Sequence, residues 1–352
     1  MSELELEKPA RSKRSKASRN AFIFVANLFV SGAFLAVLLA SVAAFWGKGV
    51  FEDQGPLAAE KTIVVNKGSD LSTIARVLES GGIINNPMVF NLGVRANGNQ
   101  NKLKAGEYAF DPGISMKAGM EQLVSGRSIQ YAVTIPEGWT TRKAYKRIAA
   151  SDLLTGEMPL LVDEGTLRPE TYSFERGATR AQVVNQMIDA QTKLVDNIWE
   201  GREPNIPLTT KRQLVILASL IEMETGPKAE ERGKVAQVFY NRLRQGWRLE
   251  TDPTILYGLY NARGKEREFE GGIRKSEKQD RSNTYNTYFI EGLPPGPITN
   301  PGKAALEAAA NPTPTDAMFF VADGTGGHAF TKTLDEHNKY VAELRKREAE
   351  QA

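Results

Sequence analysis

The sequence predicts an α+β protein carried on a single N-terminal transmembrane helix. Three observations lead there. An uncharged apolar run of 26 residues occupies Ala21–Trp46, and about 20 such residues span a bilayer. Short β-branched runs then mix with segments whose apolar residues recur at helical spacing, in the order strand, helix, helix, strand. From Thr209 onward apolar helices take over, followed by a late strand and a closing helix.

The apolar run sets the topology. The whole formal charge of +3 lies before it, where Lys8, Arg11, Lys13, Arg14, Lys16 and Arg19 outnumber Glu3, Glu5 and Glu7. A basic tail beside a span stays cytoplasmic by the positive-inside rule. Trp46 and Lys48 suit the far interface. The body after the span is therefore expected outside the cytoplasmic (inner) membrane, in the periplasmic or extracytoplasmic space. A cleavable leader is the rival reading, because Ser41-Val42-Ala43 resembles a small-residue cleavage site. The run nevertheless exceeds the roughly 7–15 residues of a leader's apolar core.

The elements follow in order. FEDQGPLAAE reads as a linker. Ile63 to Val65 form a strand, and Ser69 or Asp70 caps a helix carrying Leu71, Ile74, Ala75 and Leu78, which Gly81-Gly82 ends. Asn86-Pro87 opens a second short helix, and KAGEYAF returns as a strand. This order suits either a small packing module or a carbohydrate-binding module of the LysM type. MKAGMEQLVSGR is a further helix. YAVTIPEGWTTRKAYKRIAA gives strand, turn and helix. Residues 151–178, with EGTLRPETYSF, are expected to be irregular. A long helix runs from Thr179 to about Glu200, and GREPNIP breaks it. Thr209 or Thr210 caps LVILASLIEMET, GPKAEE is a loop, and RGKVAQVFYNRLRQG is a helix stopped by Gly246. WRLETDPTILYGL is turn-rich, although Asp252-Pro253 can also open a helix, and the charged residues 261–282 read as a solvated excursion. A proline-rich loop, a helix, a strand over Ala317–Ala322, a glycine turn and a last helix complete the chain.

Composition excludes several chemistries. The 352 residues contain no Cys, so disulfides, thiolate zinc sites and Cys nucleophiles are ruled out. His328 and His337 are the only histidines. A catalytic zinc usually takes three protein ligands, so no metal is expected, and no cofactor either. Residues 20–352 are neutral in sum, so no nucleic-acid partner is expected. GTGGHAF lacks the Lys-Ser/Thr of a phosphate loop and reads as a tight turn. His328 has no G-x-S-x-G serine to serve.

The carboxylates of LASLIEMETG carry more. At roughly 100° per residue from Leu214, Glu224 falls near 280°, inside the leucine stripe, and Glu222 near 80°, beside Val215, Ala218 and Ser219. A carboxyl on a core-facing stripe loses solvation, and its pKa rises. It then stays protonated near neutral pH, as a general acid requires. The other reading is that the helix frays before Glu224 and both acids sit in water. Asn241, Arg242, Thr251, Asp252, Tyr257, Tyr285, Asn286 and Tyr288 collect nearby in sequence, with Glu222. They suit a sugar groove or, equally, a set of caps and turns.

LASLIEMETG, KVAQVFYNRLRQGWRLETDPTILYG, YNTYFIEGLPPGPITNPG and FFVADGTGGHAF, taken together, resemble the YceG-like family of endolytic murein transglycosylases. The likeness covers roughly Thr62 to Tyr340. It implies a LysM-like subdomain, a mixed α/β catalytic domain outside the membrane and cleavage within the glycan strands of peptidoglycan. Lytic transglycosylases generally place their catalytic Glu at a helix end before a Ser. Here Thr225 follows Glu224, so the resemblance points to Glu224. The implied product is a 1,6-anhydro-muramic end, which terminates strand growth, and peptidoglycan synthases are implied as neighbours. A lysozyme-like hydrolase using Asp252, or a non-catalytic wall-binding scaffold, are the alternatives. The expected division is a tail over 1–20, the span over 21–46 and a linker over 47–61. A LysM-like subdomain over 62–126, a connecting α+β region over 127–205 and a catalytic domain over 206–345 follow.

Overall fold

The computed structural model describes residues 16–226, 228–265 and 272–351, so most of the basic tail and part of the charged excursion lie outside the described residues. The described chain mixes helices with small two-stranded sheets and divides into two compact units, residues 1–129 and 130–352.

The first unit begins with α1 (Lys16–Glu52), whose stretch Ile23–Glu52 is long and apolar enough to cross a membrane. Phe24, Phe29 and Phe45 are largely exposed on it. The helix continues beyond Trp46, so the segment expected as a linker starts as helix. The reason is packing: Phe51 is buried, 6.5 Å from the ring of Phe90, over the bare Cα of Gly93. Then come β1 (Lys61–Val65), α2 (Leu71–Ser80), α3 (Pro87–Ala96), β2 (Gly106–Phe110) and α4 (Met116–Ser125). Asp70 caps α2 by accepting from Thr73 N–H, and Asn86 caps α3 by accepting from Val89 N–H. Both use the short polar side chain that helix starts favour. Strand β1 pairs antiparallel with β2, Lys61 opposite Phe110 and Val65 opposite Gly106. Alternation sends Ile63 and Val65 inward onto Tyr108, Phe110, Leu78 and Phe90.

The second unit opens with β3 (Gln130–Thr134), α5 (Thr141–Ala149), β4 (Thr171–Glu175) and α6 (Arg180–Glu200). Strand β4 lies where irregular chain was expected. Its TYSFE alternates strictly, with Tyr172 and Phe174 inward, and it pairs antiparallel with β3. Next are α7 (Lys211–Glu224), α8 (Arg232–Arg244), α9 (Asp252–Leu259), α10 (Lys275–Lys278) and α11 (Lys303–Ala310). The hairpin β5 (Phe319–Ala322) and β6 (His328–Thr331) and the closing α12 (Leu334–Gln351) end the fold. Helix α9 replaces the expected turns, because Pro253 at its first turn pre-sets helical geometry and Ile255 and Leu256 are buried. Helices α7, α8 and α11 share one core, in which Tyr240 donates its hydroxyl to Ala309 O.

Candidate active site

Helix α7 is buried on nearly every side: Leu214, Ile216, Leu217, Ala218, Ser219, Leu220 and Ile221 all lose contact with water. A helix that is apolar all round cannot sort its polar residues by face, so the leucine stripe does not separate the two acids. Nor does the helix fray. Glu224 is its last residue, and Thr225 donates both its N–H and its hydroxyl to Ile221 O.

Their partners separate them. The Glu222 side chain is only 6% exposed. Its Oε2 accepts from Gly302 N–H at 2.9 Å, and its Oε1 lies 3.4 Å from Arg232 Nη2. With an amide and a guanidinium as partners, Glu222 ties the end of α7 to the starts of α8 and α11. Glu224 makes no ion pair among the described residues, and its Oε1 accepts from Thr251 Oγ1. The residue as a whole is partly exposed, while its carboxyl is deeply desolvated. Burial raises its pKa most strongly; the Thr251 hydrogen bond opposes this, Asp252 adds to it, and His328 and Arg242 oppose it, for a net rise. That is the state of a carboxyl able to carry a proton to a substrate.

The wall facing Glu224 is built on a strained turn. Glu250 has φ 52°, a left-handed conformation costing a non-glycine residue about 1–2 kcal/mol. Buried threonines hold it there. Glu250 N–H donates to Thr287 O at 3.2 Å, Thr251 N–H to Thr287 Oγ1 at 2.9 Å, and Thr254 Oγ1 to Thr251 O at 2.7 Å. Thr251 thereby presents its hydroxyl to Glu224. Asp252, half exposed, accepts the Tyr288 hydroxyl at 2.8 Å and lies 3.7 Å from Lys278 Nζ. Burial first, then Asp252, pushes the Tyr288 hydroxyl well above its ordinary pKa, so it remains a donor.

Arg242 stands behind this wall, buried. Its Nε donates to Met318 O at 2.8 Å and its Nη1 to Leu249 O at 2.5 Å. It braces backbone. Asn241 does the same, giving its amide to Thr315 O and Ala317 O, each at 2.9 Å. Asn286 is fully buried and donates to Lys278 O at 3.0 Å. Tyr257 and Tyr285 pack with ring centroids 4.9 Å apart, and the Tyr257 hydroxyl turns to Glu164 Oε2 at 3.4 Å. The structure thus gathers Glu224, Thr251, Asp252 and Tyr288, with Arg242 as support. It gives Glu222, Asn241, Asn286, Tyr257 and Tyr285 other partners.

Two features escaped the sequence reading. The first is Glu164, beside a cavity of about 230 Å³ lined by Thr140, Thr141, Arg142 and Tyr257. Burial raises its pKa to about 7, although Thr141 N–H donates to it at 2.7 Å. A carboxyl raised this way stabilises the fold below its unfolded value of 4.5, and that contribution is lost as pH climbs through about 7. Glu164→Gln should therefore flatten stability between those limits and leave the variant up to about 3 kcal/mol more stable at pH 8. Thermal melts of both proteins across that range check the sign; a variant less stable at pH 8 contradicts it. The second feature is Glu231, whose Oε2 lies 2.8 Å from His328 Nδ1 and whose Oε1 accepts His328 N–H at 3.2 Å. Lys228 Nζ adds a bond to Thr325 Oγ1 at 3.1 Å. The glycine turn before β6 is therefore docked onto the loop that follows Glu224. Only the short spacing of charged residues in GPKAEE could have hinted at it.

Chemically, this is one protonatable carboxyl steadied by a hydroxyl. The neighbouring carboxylate already accepts a hydrogen bond from a phenol. A model of the YceG-like family matches residues 63–343. The chain is 32% identical to an endolytic murein transglycosylase of Bacillus subtilis strain 168, over 89% of this chain and 90% of that one. It is 28% identical to an endolytic murein transglycosylase of Streptococcus pneumoniae strain D39, over 80% of this chain and 58% of that one. A crystal structure of a yceG-like protein from Listeria monocytogenes aligns with a TM-score of 0.49 at 27% identity, over 80% of this chain and 98% of that one.

Proposed function

The chain belongs to the YceG-like family, and on that premise we propose that it is a membrane-anchored endolytic murein transglycosylase in which Glu224 is both acid and base. The observation that carries the role of Glu224 is its raised pKa beside a single hydroxyl partner, at the end of a helix. The protein is a lyase. Glu224 gives its proton to the glycosidic oxygen between N-acetylmuramic acid and N-acetylglucosamine as the C1–O bond breaks. The carboxylate then takes the proton of the muramic C6 hydroxyl as O6 closes on C1. The carboxyl ends protonated again, and no water is consumed. A hydrolase would ask Asp252 to act on water or on the sugar, whereas Asp252 already accepts from Tyr288 and neighbours Lys278.

Residues 206–345 are read as the catalytic domain, supported from 127–205. The first unit is read as LysM-like. Its strand–helix–helix–strand order and antiparallel pair support this, as does a cavity of about 620 Å³ lined by Ser69, Asp70, Arg95, Gln100 and Asn101. It would hold a glycan strand. α1 is read as a single span with the N-terminus cytoplasmic and the body outside, next to peptidoglycan synthases.

Digestion of peptidoglycan by the detergent-solubilised full chain tests the reading. Early release of internal fragments of mixed length is expected; early release of single disaccharides would refute endolytic cleavage, and intact strands would leave a scaffold. The pH profile tests Glu224 itself. Activity should fall on the basic side as Glu224 loses its proton. Asp252→Asn removes a charge that raises the Glu224 pKa, so that limb should move to lower pH. A limb that moves upward means another group titrates.

A further inference from the structure

We infer that Lys278 is a specificity residue that reads a carboxylate borne by the muramic sugar next to the cleaved bond. The inference rests on the glycan-cleaving reading of Glu224 and extends it to the anionic part of the substrate.

Lys278 is built into place from behind. The fully buried Asn286 donates its side-chain amide to Lys278 O at 3.0 Å and Asp280 O at 3.3 Å, while its Oδ1 accepts Tyr288 N–H at 3.1 Å. One buried side chain thus fixes the end of α10 against the segment carrying Tyr288. From the front, Lys278 Nζ stands 4.0 Å from the Tyr288 ring centroid and 3.7 Å from Asp252 Oδ1. That oxygen also accepts the Tyr288 hydroxyl at 2.8 Å. The Asp252 charge acts on Glu224, and the Glu224 charge acts on Tyr288, so the ammonium stands beside groups coupled to the proton-transfer group.

The Lys278–Asp252 contact is long for an ion pair, and the two side chains remain 46% and 50% exposed. Such a contact is weak and readily exchanged. An ammonium held by a ring face still has N–H donors for an arriving anion. In a strand alternating N-acetylglucosamine with N-acetylmuramic acid, only the muramic side carries carboxylates. They belong to the lactyl group when the peptide is absent and to the stem peptide when it is present.

The test measures cleavage by the detergent-solubilised full chain and its Lys278→Gln and Lys278→Arg variants on three substrates: peptide-bearing strands, strands stripped of peptide, and stripped strands whose lactyl carboxylates are converted to amides. Lys278→Gln should raise KM about fivefold on one or both carboxylate-bearing substrates with kcat preserved. Lys278→Arg should restore it, and the amidated strands should show no difference. Which carboxylate-bearing substrate responds identifies the source of the anion. An unchanged KM on both, or an equal rise on the amidated strands, overturns the inference. Strand binding in a Glu224→Gln background separates the two claims. Lys278-dependent binding without any cleavage by the wild-type chain would sink the proposed activity and leave this contact standing; binding that ignores Lys278 would sink the contact.

Discussion

Glu224→Gln is expected to abolish turnover while the protein stays folded and bound to glycan. One carboxyl serves as acid and then as base, and each role contributes roughly 10²–10⁴-fold, so a loss of about a thousandfold or more is expected. The substitution is nearly isosteric, and the amide oxygen can still accept from Thr251, the one hydrogen bond that the carboxyl makes to a described side chain. Melting should barely change. Glu222→Gln is the matched control. Its carboxylate faces Arg232 and Gly302 N–H, so neutralising it takes the ion-paired carboxylate from a mostly buried guanidinium and leaves it the charge of Glu137 nearby. About 1–3 kcal/mol of stability should go, with cleavage surviving in the folded fraction. Activity rates and melts of the two variants check this. An active Glu224→Gln beside a dead Glu222→Gln would reverse the assignment.

Arg242→Ala should cost about 2–4 kcal/mol of stability, because it leaves buried carbonyls without a donor. The buried guanidinium is the donor to Met318 O and Leu249 O. Removing it strands both carbonyls and takes away the cation whose charge interacts with the exposed Glu250. Because Met318 leads into β5 and Leu249 precedes the strained Glu250, the loss should also loosen the turn that presents Thr251. Denaturant unfolding measures it; a cost under about 1 kcal/mol would mean that water replaces the guanidinium.

The regular part of the fold was legible because its signals are local. Asp70, Asn86 and Thr179 cap the helices that their short polar side chains announce. Strand β4 was missed although TYSFE alternates, because the turn formers around it masked a five-residue period. Helix α9 was only half legible, because Asp252-Pro253 opens helices and turns alike and the stretch around it is turn-rich. At the site, the pair Glu222 and Glu224 was visible in the sequence, and the resemblance pointed to Glu224. The helical projection could not choose, since α7 has no solvent face. What separates the acids lies far along the chain: Gly302 for one, Thr251 and through it Thr287 for the other. Such through-space pairings leave no periodic trace. The same holds for Asn286, which reads as a sugar-binding amide and instead anchors α10.

The central claim is that Glu224 closes the muramic C6 hydroxyl onto C1 rather than activating water. Digestion in heavy-oxygen water, with mass spectrometry of the new glycan ends, tests it most directly. The account predicts anhydro ends free of solvent oxygen. Reducing ends that carry the heavy oxygen would contradict it and make the protein a hydrolase.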